Sequence, residues 1–298
     1  MSSLINTVCR SHSLKLLAVT AAVALCLMGV GYSQNVELRA PSEAIAGVPA
    51  SIATTGSGSA TFYLQGPAIS VKRQVELGQG VSLTSKELQS AGRYVAVVCS
   101  DSCADTTFFV SPAKPSSIAF LVHPSRAPVA HNDIISGVAL PFDEFHNLVL
   151  EPVPIQFQLT AKAGVPTTHN SPTRDGIAWF RTSSGKSAGP LQVMASINEI
   201  TAKRVVQQVA SEACRLRIKG QRTPKGIVVE TEPVRDCSGN PVPDGTIVTF
   251  TAKSGNQISF VDAPVKQDVA RATMTAKGPV VLSAASGVAM GNEIQIGD

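Results

Sequence analysis

The chain has 298 residues, a formal net charge of +4, and only 15% charged and 5% aromatic residues. This length suits two or three domains rather than one small sandwich. The hydrophobic fraction of 44% is ordinary for a folded protein, which argues against a disordered chain. Lysines and arginines are scattered among acidic residues, so the sequence lacks the basic stripe of nucleic-acid-binding proteins and we expect no nucleic-acid partner.

The first 33 residues have the pattern of an export signal. Arg10 and Lys15 precede an apolar run of fifteen residues, Leu16 to Val30. Small residues at the −3 and −1 positions, Gly31 and Ser33, predict cleavage between Ser33 and Gln34. The run is shorter than the roughly 20 residues of a membrane span, although an uncleaved N-terminal anchor is the alternative. The mature chain would keep a net charge of +2 and no membrane span. We therefore expect a periplasmic, cell-surface or extracellular protein.

The rest of the chain predicts an all-β protein of three tandem immunoglobulin-like sandwiches, at residues 34–112, 113–200 and 201–298. Short strand patterns separated by Gly and Pro follow one another at the spacing of such sandwiches. In the first region they are Val36–Arg39, Pro49–Thr54, Ala60–Leu64, Ala68–Leu77, Val81–Thr84, Arg93–Ser100 and Asp105–Val110. Tyr94 in the sixth strand is either a corner tyrosine or a core tyrosine with its hydroxyl at the rim.

Four cysteines of the mature chain form two predicted disulfides. Cys99 and Cys103 flank a hairpin tip, where an exported chain favours a bridge; the C-x-x-x-C spacing does not fit a redox motif, and a metal pair is the alternative. Cys214 and Cys237 lie symmetrically about the turn at Arg222–Gly226. An antiparallel strand pair would place them opposite each other, and closing this loop would contribute about 3 kcal/mol.

A repeated stretch runs through the second and third regions. Asp143–Ala161 and Asp236–Ala252 both read as a polar turn followed by an alternating strand. In the third region, the repeat is defined by four segments: Asp236…Gly239-Asn240-Pro241-Val242, Val248-Thr249-Phe250, Val269-Ala270-Arg271-Ala272 and Val281-Leu282-Ser283-Ala284. The copy in the second region keeps Val153-Pro154, Phe157, Gly176-Ile177-Ala178 and Val193-Met194-Ala195, and has Leu148 to Glu151 in place of Gly-Asn-Pro.

These segments resemble the bacterial Ig-like group 1 domains of the invasin and intimin superfamily. The resemblance implies the sandwich fold and a role in cell adhesion. The sequence shows no counterpart of the outer-membrane barrel that precedes the modules in that family. Because the shared motif is structural, it carries fold rather than chemistry.

No pattern in the chain predicts catalysis, a cofactor or a metal. Nucleophile elbows, phosphate loops and H-E-x-x-H are absent from the sequence. The mature histidines fit no ligand signature and read as scattered loop residues: His123, His131, His146 and His169. Asp143-Glu144 reads as a solvated turn, with a calcium site there, or at Asp236 and Asp244, as the alternative. Trp179 is expected in the core.

We therefore predict an exported, non-enzymatic interaction protein with an adhesion or spacer role and an unknown protein or surface glycan as partner. The alternative is a periplasmic or secreted ligand- or carbohydrate-binding accessory protein. That role requires an exposed aromatic platform, which three Tyr, one Trp and ten Phe in mostly alternating strands make a poor prospect.

Overall fold

The computed structural model describes residues 36–162 and 164–297, in two compact units that meet in sequence at Pro112 and Ala113. Its regular secondary structure is entirely β, so the predicted all-β fold is confirmed. Among these residues no helix is long and apolar enough to cross a membrane. The predicted signal segment and its cleavage site at Ser33 and Gln34 lie outside the described residues.

The first unit contains seven strands, which form two sheets of order β1-β2-β5 and β4-β3-β6-β7. They are β1 (Leu38–Arg39), β2 (Ala50–Thr54), β3 (Ser59–Gln65), β4 (Ser70–Glu76), β5 (Val81–Leu83), β6 (Gly92–Cys99) and β7 (Cys103–Val110). Their core follows from alternation of side chains along each strand: Phe62 and Leu64 of β3 face inward beside Tyr94, Ala96 and Val98 of β6.

Tyr94 is a corner tyrosine and a core residue together. Its side chain is fully buried and stacks on Phe108 with ring centroids 5.4 Å apart. The phenol donates a hydrogen bond of 2.9 Å to the carbonyl oxygen of Ser90, four residues earlier. Burial raises the pKa of this phenol, against the opposing effect of the Ser90 bond. A Cβ on Gly66 would come within 2.6 Å of the ring atom Cζ, so the site requires glycine there.

Tyr94→Phe should lower the free energy of unfolding of the first sandwich by about 1 kcal/mol, because it removes the bond to Ser90 and leaves the ring in place. Chemical denaturation of the wild type and variant measures this difference. Tyr63→Phe is the matched control, because Tyr63 is 38% exposed on the same sheet and should stay within about 0.5 kcal/mol of wild type. Equal losses of stability from the two substitutions would contradict a stabilising role for the hydrogen bond from Tyr94 to Ser90.

The second unit begins with a sandwich of eight strands, called here the second sandwich. Its sheets have the orders β13-β10-β8 and β12-β11-β14-β15-β9. The strands are β8 (Ser117–His123), β9 (Arg126–Pro128), β10 (Ile135–Phe142), β11 (Pro154–Ala161), β12 (Thr167–Pro172), β13 (Ala178–Thr182), β14 (Gly189–Ile197) and β15 (Ile200–Val209). Since β15 pairs with β14 along its length, the residues up to Val209 belong to this sheet.

Ten further strands form the third sandwich. Its main sheets are β17-β18-β22 and β21-β20-β23, with β24 and β25 also paired to β23, while β16 pairs with β19. The strands are β16 (Ala213–Arg215), β17 (Ile218–Thr223), β18 (Gly226–Thr231), β19 (Arg235–Asp236), β20 (Ile247–Ser254), β21 (Gln257–Pro264), β22 (Arg271–Met274), β23 (Val280–Ser286), β24 (Ala289–Met290) and β25 (Ile294–Ile296).

The two sandwiches of the second unit have separate hydrophobic cores. Phe157 and Phe180, with ring centroids 4.8 Å apart, lie in the core of the second sandwich, and Phe250 lies in that of the third. Each core is closed by inward-facing residues of two sheets, as in a β-sandwich. The connection between the sandwiches is therefore made by loops rather than by a shared core.

Candidate functional site

The repeated stretch folds as two equivalent loops, the Asp143 loop (Asp143–Asn147) and the Asp236 loop (Asp236–Asn240). Each starts with a buried aspartate, 1% exposed for Asp143 and 4% for Asp236. An ionised carboxylate so placed is stable only if hydrogen bonds replace its water. Both loops supply these bonds in the same arrangement.

In the Asp236 loop the carboxylate accepts hydrogen bonds from four donor groups. Oδ1 accepts from the backbone N–H groups of Ser238 and Asn240, both at 2.9 Å. Oδ2 accepts from the side-chain amide of Asn240 and from the backbone N–H of Ser211, both at 3.0 Å. Ser211 lies in the segment that enters the third sandwich, so Asp236 fixes this entry to the loop.

The Asp143 loop repeats the pattern at the entry to the second sandwich. Oδ1 accepts from the backbone N–H groups of Phe145 at 2.9 Å and Asn147 at 2.8 Å. Oδ2 accepts from the side-chain amide of Asn147 at 2.8 Å and from the backbone N–H of Ala113 at 2.9 Å. The shared element is thus an aspartate, an asparagine four residues later and an upstream backbone donor.

This geometry corrects two interpretations of the sequence. Asn147 is the structural counterpart of Asn240. The sequence alignment that placed Leu148–Glu151 opposite Gly-Asn-Pro was therefore out of register. The left-handed residue that precedes each asparagine is His146 at φ 65° and Gly239 at φ 86°. The expectation that Asp143 lies in a solvated turn was also wrong, because its carboxylate is buried among N–H donors that satisfy both oxygens.

The pKa values of both aspartates lie below their ordinary value of 3.8. Burial alone would raise the pKa, but the hydrogen bonds from the asparagine side chain and the backbone donors favour the charged form and outweigh it. The folded state therefore binds these protons less readily than the unfolded chain does.

This difference predicts acid sensitivity. Since the folded-state pKa values are lowered, the stability from Asp143 and Asp236 is complete above the unfolded value near 3.8 and is lost as the pH falls through the folded values. The free energy of unfolding should drop more steeply below about pH 4 in the wild type than in the double variant D143N/D236N, whose amides do not titrate. Denaturant titrations between about pH 2 and 6 measure both slopes, and parallel slopes would contradict the prediction.

Asn240 also connects the third sandwich to the second. Its side-chain amide donates to the carbonyl of Lys186 at 2.7 Å, and its Oδ1 accepts from the backbone N–H of Ala188 at 2.9 Å. The hydroxyl of Ser211 donates to the carbonyl of Val129 at 2.5 Å. The residues that bind Asp236 therefore also bind two loops of the preceding sandwich, and together they form a hydrogen-bonded junction.

The described residues contain two disulfides. Cys99 and Cys103 join the ends of β6 and β7 with Cα atoms 4.1 Å apart. Cys214 of β16 bonds to Cys237, which directly follows β19, with Cα atoms 4.8 Å apart. This second bridge lies beyond the β17–β18 hairpin that surrounds the predicted turn, so it closes off the whole hairpin rather than cross-linking two of its paired residues.

Trp179 is not a core residue. It lies on β13 with 63% of its surface exposed, while its neighbours Ala178 and Phe180 face the core. Its register partner on β10 is Val138. The structure therefore provides an exposed aromatic side chain that the sequence analysis did not expect.

Other sequence-derived candidates do not converge on a site. His123 lies on β8, His146 in the Asp143 loop and His169 on β12, where it stacks on Phe180. Within the part of the chain that the structure describes, no group of three or more His, Cys, Asp or Glu side chains is placed to hold a metal ion. The junction and the face around Trp179 are thus the features with functional potential.

Comparison with known proteins shows similarity of fold to solved structures. No protein-family model and no curated protein sequence matches the chain. Among solved structures, it resembles the Escherichia coli adhesin FdeC, with a TM-score of 0.58 and 16% identity over 89% of this chain and 96% of that one. It also resembles invasin, a bacterial integrin-binding protein, with a TM-score of 0.51 and 12% identity over 88% of this chain and 59% of that one. The chain therefore shares the tandem immunoglobulin-like β-sandwich fold of these two solved structures.

Proposed function

We propose that the chain is an exported, non-enzymatic adhesion protein whose sandwiches hold a recognition surface at a fixed distance from their attachment. The observation that carries this proposal is the junction of Asp236, Asn240 and Ser211, which joins the second and third sandwiches through side chains as well as through the connecting segment. A flexible linker would need no such bonds. The fold shared with FdeC supports the same role.

The module boundaries belong to this proposal. We place three sandwiches at residues 34–112, 113–209 and 210–298, and the last boundary follows Val209 because β15 pairs with β14 of the second sandwich. We also propose cleavage between Ser33 and Gln34. Two disulfides suit an oxidising compartment outside the cytoplasm.

Export is tested by expressing the full chain in a bacterial host and fractionating the cells. A product in the periplasm or medium, with Gln34 as its first residue and no free thiol, is the expected result. A cytoplasmic product with reduced cysteines would contradict export. An exported product that retains residues 1–33 would contradict cleavage alone.

Adhesion is tested by coating beads with the oxidised chain and measuring saturable attachment to intact cells and extracellular matrix.

The spacer role is tested with Asn240→Ala, which removes the bonds to Lys186 and Ala188. Residual dipolar couplings should show independent reorientation of the second and third sandwiches in this variant. Asn292→Ala is the control, because Asn292 bonds only within the third sandwich. Independent motion in the wild type would contradict the spacer role.

A ligand- or carbohydrate-binding accessory role is the second candidate. The exposure of Trp179 favours it, because an exposed indole is the platform that such a role requires. Retention on one purified polysaccharide, without attachment to cells or matrix, would distinguish this role from adhesion.

A further inference from the structure

Part of the outward face of the β13-β10-β8 sheet is apolar, where a solvated sheet face is normally polar. Leu121, Val138 and Trp179 are register partners and form one row across the three strands. Leu121 is 67% exposed and Trp179 is 63% exposed. Ala119 and Leu140, also paired, extend the row along the sheet. We call these residues, with Ile177, the Trp179 face.

A rigid turn fixes one side of this face. The backbones of Arg174 and Ile177 exchange two hydrogen bonds of 2.9 and 3.0 Å. Asp175 and Gly176 between them have φ values of 50° and 77°, as in a type I′ turn. Ile177, 43% exposed, and Trp179 follow on the same side of the strand. With Pro172 they line a groove of about 480 Å³.

The charges beside Trp179 are uncompensated. Arg174 lines the groove, and Arg181 lies two residues beyond Trp179 on the same face. Neither guanidinium has an ion pair among the described residues, whereas Arg271 and Lys219 of the third sandwich both bind Glu230. A planar guanidinium recognises a carboxylate through two parallel hydrogen bonds. The face therefore offers an apolar platform with free cations on two sides.

The dimensions of the Trp179 face decide between a sugar and a protein. Three strands span about 10 Å and two rows of side chains about 7 Å. A stable protein interface buries roughly 800 Å² on each partner, many times this outline. One or two pyranose rings cover such a platform by stacking their C–H faces on the indole. We propose that the Trp179 face binds a saccharide that carries a carboxylate, held by stacking on Trp179 and by Arg174 and Arg181.

This site would be the recognition surface of the proposed adhesion protein, and it rests on that function. The chain contains a single tryptophan, so its fluorescence reports directly on Trp179. Titrating the oxidised full chain with 3′-sialyllactose and with trigalacturonic acid tests a terminal and an in-chain carboxylated sugar. We expect a saturable change for at least one of them, at least about tenfold tighter than for lactose, because charge-assisted bonds are lost with the neutral sugar.

Variants are then compared by calorimetry. Trp179→Ala should weaken binding by at least about tenfold, while Trp179→Phe, which keeps an aromatic face, should weaken it less. The double variant R174Q/R181Q should reduce the affinity for the acidic sugar to that for lactose. Phe260→Ala is the matched control, because Phe260 is 66% exposed on the third sandwich and should leave binding unchanged.

Three results would overturn the proposal: equal binding of neutral and acidic sugars, binding that survives Trp179→Ala, or binding of hexaglutamate but of neither sugar, which would indicate an acidic protein partner. Cell attachment that persists in Trp179→Ala would refute this site as the recognition surface and leave adhesion itself supported. Sugar binding by a chain that attaches to no cell or matrix would refute adhesion and leave the site.

Discussion

Replacing Asp236 with alanine is expected to destabilise the third sandwich by about 3 kcal/mol, because the substitution removes the shared acceptor of several half-buried donors at once. The backbone N–H groups of Ser211, Ser238 and Asn240 all bond to this carboxylate. Asp236→Asn keeps the shape but turns an amide group towards these donors, so its loss should be smaller. Hydrogen exchange of β20 and β23 under denaturant measures the stability of this sandwich separately.

Asp244→Ala is the control for this prediction. Asp244 lies in the same turn region, is exposed and accepts one hydrogen bond, from the backbone N–H of Gln267 at 3.0 Å. Its loss should cost no more than about 1 kcal/mol. If Asp236→Ala and Asp244→Ala cost the same, Asp236 does not hold the entry to the sandwich.

Removing the Cys214–Cys237 bridge should lower the free energy of unfolding of the third sandwich by about 3 kcal/mol. Removing the Cys99–Cys103 bridge should lower that of the first sandwich by about 2 kcal/mol, because a shorter closed loop constrains the unfolded chain less strongly. The bridged cysteines are 23 positions apart in the first case and 4 in the second. Serine pairs at each site, C214S/C237S and C99S/C103S, allow the comparison by chemical denaturation.

The two serine pairs serve as controls for each other. Each should destabilise only its own sandwich, so the third sandwich of C99S/C103S and the first sandwich of C214S/C237S should unfold as in the wild type. A larger loss from the Cys99–Cys103 pair would contradict the loop-length argument.

Strands with one buried face were predictable from sequence, and the exposed edge strands β12 and β21 were not. In β20 the buried Val248, Phe250 and Ala252 alternate with more exposed residues, and this alternation is visible in the sequence. β21 is an edge strand with most of its residues exposed, Ile258 and Phe260 included, so no alternation marks it. β12 is polar and exposed for the same reason. Neither strand has the continuous buried face that imposes a pattern on the sequence.

Alternation also contained the information about Trp179. Ala178 and Phe180 face the core, which places Trp179 on the opposite face, but a tryptophan is so often buried that its size outweighed its position. The equivalence of Asn147 and Asn240 was missed for a related reason. Its Asp-to-Asn spacing of four residues matches that of the Asp236 loop, while the intervening residues differ entirely. The hydrogen bonds depend on the spacing rather than on the residues between.

The position of the second disulfide has a mechanical consequence. Cys214 and Cys237 enclose the hairpin of β17 and β18, so tension applied to the ends of the third sandwich passes through the bridge and bypasses this hairpin. The 23 peptide steps between the two cysteines would otherwise supply roughly 80 Å of extension. An adhesion protein under flow would keep this hairpin folded while the rest of the sandwich unfolds. The length of the stretched chain would then be smaller by the extension that the bridge withholds.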